Sequence, residues 1–157
     1  MHDIQIEKLL EPNPALAEML ERIPLRKVIY TNATSAHGRR VLHALGAYDQ
    51  FERIIGIEEV GLHNKFNREA YERMLVLLGA SGSECVMVED SPRNLPAAKA
   101  VGMVTILVGV EEEAKHGGDS ESFIDFAVES VTDVEQVVDQ LLAGPVNGAL
   151  GYGQGAG

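Results

Sequence analysis

The 157-residue chain has no tryptophan, a single cysteine, and thirteen basic residues against twenty-four acidic ones. Each scarcity excludes something. One cysteine permits no internal disulfide, and Cys85 stands in an apolar run, which marks it as a small core residue rather than a nucleophile. A formal net charge of −11 argues against non-specific nucleic-acid binding and against adhesion to an anionic membrane. It also makes a site for an anionic substrate depend on a cation or on local Lys or Arg. No apolar run approaches the ~20 residues of a membrane span. Residues 1–20 lack the basic-then-apolar order of a secretory signal, so the cytoplasm is the expected location. The length suits one domain with a substantial core.

What is present is an alternation of short apolar runs with amphipathic segments. Asn13 and Pro14 are suited to open a helix over 14–23, with Leu16, Met19, Leu20 and Ile23 on one face and Pro24 as the stop. Residues 27–31 read as a strand, 36–45 as a helix closed by Gly46, and 51–57 as a second strand followed by Glu58 and Glu59. A helix over 68–78 is closed by Gly79, and 104–108 is a further strand. Residues 110–122 form a polar, Gly-containing loop, and 126–128 a weak last strand. Thr132-Asp-Val-Glu135 has the form of a capping box that opens a helix through Leu142. Residues 1–143 are thus expected to form an α/β core. Residues 144–157, with six of the sixteen glycines and little apolar periodicity, are expected to be a disordered tail. Strands alternating with helices at short intervals predict a doubly wound parallel sheet.

The most informative stretch is Cys85-Val-Met-Val-Glu89-Asp90-Ser-Pro-Arg-Asn94, followed by an Ala-rich helix that stops at Gly102. Four apolar residues suit a buried parallel strand. The two acids then stand at its carboxyl end, where open α/β sheets bind ligands. Paired carboxylates there suit a hard cation such as Mg²⁺, or else they cap the helix that follows.

Three islands line up in order: a strand ending in Thr31-Asn32, Lys65 ahead of a helix, and Glu89-Asp90 with Asn94 four residues on. This order resembles the haloacid dehalogenase (HAD) superfamily of hydrolases, and within it the pyrimidine 5′-nucleotidase-like branch. Residues 88–103 look like the family's fourth motif, 29–32 like its second, and Lys65-Phe-Asn-Arg-Glu-Ala-Tyr like its third, with Phe66 where the family usually has Pro. The resemblance covers roughly residues 8–143 and implies an Mg²⁺-dependent phosphomonoester hydrolase with a Rossmann-like core. Carried over by position, Thr31 and Asn32 would bind the phosphoryl oxygens. Lys65 would be the catalytic cation, also contacting phosphate. Asp90 would ligate Mg²⁺ with help from Glu89. Asn94 replaces an acid of many relatives, so a helix cap is the expected role for it and metal binding the lesser one.

The family's first motif, Asp-x-Asp-x-Thr/Ser, supplies the nucleophile and the general acid/base, and these 157 residues do not contain it. Asp3 stands alone, Asp119 and Asp125 are six apart, and Asp133 and Asp139 lie on the last helix. The first strand and the helical cap are expected to be missing with it. The strands ending at Thr31 and Val88 must then pair directly or leave a groove. Two functions compete: a nucleotidase-like phosphatase, inactive as an isolated chain, and a non-catalytic α/β module that binds Mg²⁺, phosphate or a partner. The expected partners are a phosphorylated small molecule such as a nucleoside monophosphate, and either a second copy or a complementing chain. A response-regulator receiver does not fit, because it needs an acidic pair near the amino terminus and a phospho-accepting Asp ending a later strand.

Overall fold

The computed structural model describes residues 12–61, 67–110 and 123–144. Helix α1 (Pro14–Arg22) opens as its sequence demands: the Asn13 side chain accepts from the Leu16 N–H, with Pro14 at the first position. Strand β1 (Val28–Tyr30) leads into α2 (Ser35–Leu45) and β2 (Arg53–Ile55). Helix α3 (Arg68–Leu78), β3 (Val86–Glu89), the short α4 (Leu95–Ala100) and β4 (Val104–Val108) follow, then β5 (Phe126–Val128) and α5 (Val134–Ala143). Among the described residues no helix is long and apolar enough to cross a membrane.

All strand pairs are parallel, as the alternation requires, with β1 on β2 and with β3 on β4 and β4 on β5. Among the described residues the strands form two sheets rather than one: β1 and β3 do not pair, so the expected alternative of direct pairing does not occur. Residues alternate between two cores. Tyr30, Ile55, Met87 and Leu107 pack with α3 and α4 on one face. On the other, Ile106 and Val128 pack with Met19 and Ile23 of α1 and with Val134, Val137 and Val138 of α5. Helix α2 covers β2 on this second face, where a Cβ on Gly38 would come within 3.1 Å of the Ile54 side chain.

Two local expectations need correction. The run 51–57 holds only a three-residue strand, because residues 57–60 turn into a 3₁₀ coil tied by the Glu59 side chain to the Gly56 N–H at 3.2 Å. The capping box before α5 is Ser130 with Asp133, not Thr132 with Glu135: the Asp133 carboxylate accepts from the Ser130 N–H at 3.0 Å. Glu135 is instead drawn into a two-bond pair with Arg22 of α1, both at 2.9 Å. The tail 145–157 and most of the 110–122 loop lie outside the described residues.

Exposed carboxylates set an acid limit on stability. Arg26 lowers the Glu52 pKa, the Ser35 hydroxyl lowers that of Glu58, the Ser81 backbone that of Glu84, and Arg22 that of Glu135. Each gains stability in its charged form, present in full above the ordinary value of 4.5 and lost as pH falls through the lowered folded values. Melting temperatures measured from about pH 7 down to about pH 3 should therefore hold level and then decline below that value.

Candidate active site

The ladder between β1 and β2 continues one step past Tyr30, where the Thr31 N–H donates to the Ile55 carbonyl at 3.0 Å. The chain then turns, and the Thr31 hydroxyl oxygen accepts from the Ala33 N–H at 3.0 Å. That bond uses an oxygen lone pair and leaves the hydroxyl proton to donate, the capacity a phosphoryl oxygen needs. Asn32 lies exposed in the same turn. Thr34 caps α2 by accepting from the His37 N–H. A residue that sequence reasoning passed over also sits here. Glu58 accepts from the Ser35 hydroxyl at 2.7 Å and from the Ser35 N–H at 3.3 Å, so the amino terminus of α2 already holds an anion. Gly56 permits this approach, since a Cβ there would collide with the Glu58 carboxylate and the Ser35 nitrogen. The adjacent pair Glu58-Glu59 after a strand was the available signal; only the fold shows which backbone it meets.

The second half of the site follows β3. Glu89 is buried at 8% exposure, and its carboxylate turns back to accept from the Asp90 and Ser91 N–H groups, both at 3.1 Å. It therefore caps the turn rather than α4. Asp90 is exposed. Asn94 closes a 3₁₀ turn (Pro92–Asn94) by donating its N–H to the Ser91 carbonyl at 3.0 Å. The helix-cap expectation for Asn94 fails: its side chain makes no capping bond to α4, and its Oδ1 is buried without a hydrogen-bond partner among the described residues. Leaving such an acceptor unsatisfied costs about 1–3 kcal/mol.

Tyr71 of α3 joins the halves. Its ring, fully buried, meets Tyr30 edge-on with centroids 5.2 Å apart, and its hydroxyl donates to the Asn94 carbonyl at 2.8 Å. Burial pushes the Tyr30 phenol up to about 12. It also raises that of Tyr71, with smaller contributions from the Tyr30 and Glu89 charges. Both phenols stay neutral across the physiological range; Tyr71 serves as a donor, and both rings serve as packing, not as bases. Thr31 thus shares one end of the strands with Glu89, Asp90 and Asn94.

Lys65 lies outside the described residues. Among the described residues no three of His, Cys, Asp and Glu gather as a metal site. An oxygen set of the Asp90 carboxylate and the Asn94 side-chain Oδ1, with Glu89 positioning the turn, nonetheless suits a hard cation, and a cation would satisfy the orphaned Oδ1. A groove of about 450 Å³ along α3, lined by Glu59, Glu69, Glu72, Arg73, Val76 and Leu77, contains none of these residues. Its three carboxylates make it a poor phosphate site.

A family description, the haloacid dehalogenase-like hydrolases, matches residues 1–102. The chain belongs to this family. The HAD fold is shared with solved structures. L-2-haloacid dehalogenase from Xanthobacter autotrophicus, with chloropropionic acid covalently bound, superimposes with a TM-score of 0.71 at 20% identity over 86% of this chain and 64% of that one. The HAD phosphatase from Thermococcus onnurineus gives 0.60 at 23% identity, over 80% and 55% of the two chains. YfnB from Bacillus subtilis, bound to magnesium, gives 0.64 at 13%, over 80% and 54%. The chain therefore spans less than two thirds of each of these relatives. At these identities the likeness is one of fold.

Proposed function

We propose that this HAD chain carries the phosphate- and metal-binding part of an Mg²⁺-dependent phosphomonoester hydrolase of the nucleotidase-like branch. The observation that supports this best is the Tyr71 bridge, which packs on Tyr30, the neighbour of Thr31, and bonds the main-chain carbonyl of Asn94 in the turn after Glu89 and Asp90. Thr31 donates its hydroxyl proton to a phosphoryl oxygen, and the backbone around Asn32 adds N–H donors. Lys65 supplies positive charge to the transferring group. Asp90 is the principal metal ligand, Asn94 adds its side-chain Oδ1, and Glu89 keeps the turn in place. Mg²⁺, when bound, supplies charge neutralisation for the phosphoryl oxygens, which a chain of net charge −11 needs.

The nucleophile is a separate matter. Two aspartates of the described residues are held in other contacts: Asp125 bonds Lys99 at 2.6 Å and the Thr105 N–H at 2.9 Å, and Asp133 accepts from the Ser130 N–H at 3.0 Å. With no Asp-x-Asp pair in the 157 residues, this polypeptide alone binds Mg²⁺ and phosphate without turnover. The test is hydrolysis of para-nitrophenyl phosphate and nucleoside monophosphates with Mg²⁺, beside calorimetric Mg²⁺ titration. Expected are Mg²⁺ binding weakened at least about tenfold in Asp90→Asn, and no hydrolysis. Mg²⁺-dependent hydrolysis abolished by Asp90→Asn would overturn the inactive reading. Unchanged Mg²⁺ affinity in that variant would remove Asp90 from the metal site.

A further inference from the structure

The turn after β1 is held to the end of β2 at three successive points. The Thr31 N–H donates to the Ile55 carbonyl at 3.0 Å, which continues the strand ladder. A regular parallel ladder would next join the Ile57 N–H to the Thr31 carbonyl. That N–H goes instead to the Ala33 carbonyl at 2.9 Å, which draws the turn onto β2 two residues further along. At the third point main chain no longer meets main chain, because residues 57–60 coil away as a 3₁₀ turn. There the Glu58 carboxylate takes over, accepting from the Ser35 hydroxyl at 2.7 Å and from the Ser35 N–H at 3.3 Å.

Burial alternates in step with these bonds. Thr31, Ala33 and Ser35 are half-buried, while Asn32 and Thr34 are exposed. The Thr31 hydroxyl oxygen accepts from the Ala33 N–H at 3.0 Å, so the direction of this hydroxyl depends on where residue 33 is held. Residue 33 is anchored by Ile57, and two residues on the chain is anchored again by Glu58. The first N–H groups of α2 are also engaged. The Ser35 N–H goes to Glu58, the His37 N–H to the Thr34 hydroxyl at 3.2 Å, and the Gly38 N–H to the Thr34 carbonyl at 3.1 Å. A phosphoryl group at this end of β1 therefore meets Thr31 and the turn, rather than a helix terminus that Glu58 already neutralises.

We propose that Glu58 is a positioning residue for phosphate binding: through Ser35 it clamps the turn 31–35, so that the Thr31 hydroxyl and the N–H groups around Asn32 are set before the ligand arrives. This role rests on the reading of Thr31 and Asn32 as holders of phosphoryl oxygens. A turn ordered in advance spares the ligand the cost of fixing it. Glu58 acts here as an acceptor and not through its charge, which taken alone would oppose an anion. Gln at this position keeps an acceptor for Ser35, whereas Ala leaves Ser35 and the α2 terminus without one.

The test is calorimetric titration of inorganic phosphate into the 157-residue chain at saturating Mg²⁺, with Mg²⁺ titrated separately. Glu58→Ala is expected to weaken phosphate binding about fivefold, the scale of one hydrogen bond, and to leave Mg²⁺ affinity unchanged. Glu58→Gln should recover most of that loss. Ser35→Ala should weaken binding by about twofold, and the double variant should be no worse than Glu58→Ala, since both remove one contact. Glu52→Ala removes an equal charge beyond the other end of β2, where Arg26 holds it, and should change nothing. In Glu58→Ala, amide exchange should quicken at 32–36 and not at 90–94. Unchanged phosphate affinity in Glu58→Ala overturns the proposal. So does tighter binding in both the Ala and Gln variants, which would make Glu58 a repelling charge. A parallel loss of Mg²⁺ and phosphate affinity overturns it in favour of a general structural role. A wild-type chain that takes up no phosphate refutes the reading of Thr31 and Asn32 and this role with it, whereas unchanged exchange at 32–36 refutes the clamp alone.

Discussion

Tyr71→Ala should lower unfolding free energy by about 3–5 kcal/mol, the range for deleting a large buried aromatic side chain. Against a typical domain stability of about 5–15 kcal/mol, that leaves a substantial unfolded fraction. Among the described residues Tyr71 is the largest fully buried side chain. It packs edge-on against Tyr30 of the first sheet and holds the turn after the second sheet through its bond to Asn94. Removing it opens a cavity where no hydrogen-bonded strand joins the two sheets. Tyr71→Phe keeps the ring and deletes only the donor, so about 1–2 kcal/mol is expected from the released Asn94 carbonyl. Urea denaturation of both variants separates packing from hydrogen bonding. A Tyr71→Ala cost no larger than that of Val76→Ala, at a site 80% exposed, would show that the two sheets do not depend on this bridge.

The second large effect is at Gly82, one turn before β3. A Cβ there would collide with the carbonyl oxygen and carbon of Val101 and come within 3.4 Å of the Gly102 Cα. These are backbone atoms, so no side chain can rotate away. Overpacking of this kind costs about 1–3 kcal/mol, and an unyielding partner places Gly82→Ala at the upper end. For a chain of this size that is a fall in melting temperature of roughly 6–12 °C. Gly79→Ala is the contrasting control. Its Cβ would meet nothing within 4 Å, but its φ of +67 is left-handed. About 1 kcal/mol of backbone strain is expected there. A Gly82→Ala melting temperature above that of Gly79→Ala would show that α4 and the turn before β3 are not in rigid contact.

Much of this architecture is legible residue by residue. Asn13-Pro14 opens α1, Gly46 and Gly79 close α2 and α3, and the run 104–108 is β4 without adjustment. These succeed because caps, turns and short apolar runs act over a few neighbours. The misreadings share one cause. Glu135 could complete a capping box by spacing, but Arg22, 113 residues away in sequence, offers a better partner. Asn94 has the position of a cap, yet the turn at 92–94 carries its side chain into the interior. Glu58 looked like one half of an acidic pair, and its function as anion for the α2 terminus depends on Gly56 letting β2 approach Ser35.

The candidate site divides in the same way. Residue types and order alone pointed to Thr31, Asn32, Glu89 and Asp90 at strand ends, because a strand followed by a turn is a local property. Local properties also determined the parallel α/β class, the HAD resemblance, the acidic surface charge and the absence of an Asp-x-Asp pair from these 157 residues. Only the tertiary structure decided that Glu89 faces inward to bond its own turn while Asp90 faces out. It alone decided that Tyr71 would be the bridge between the halves, and that β1 and β3 would not pair among the described residues. Those outcomes depend on which surfaces meet across dozens of residues, where burial and unsatisfied backbone groups outweigh any neighbour's preference.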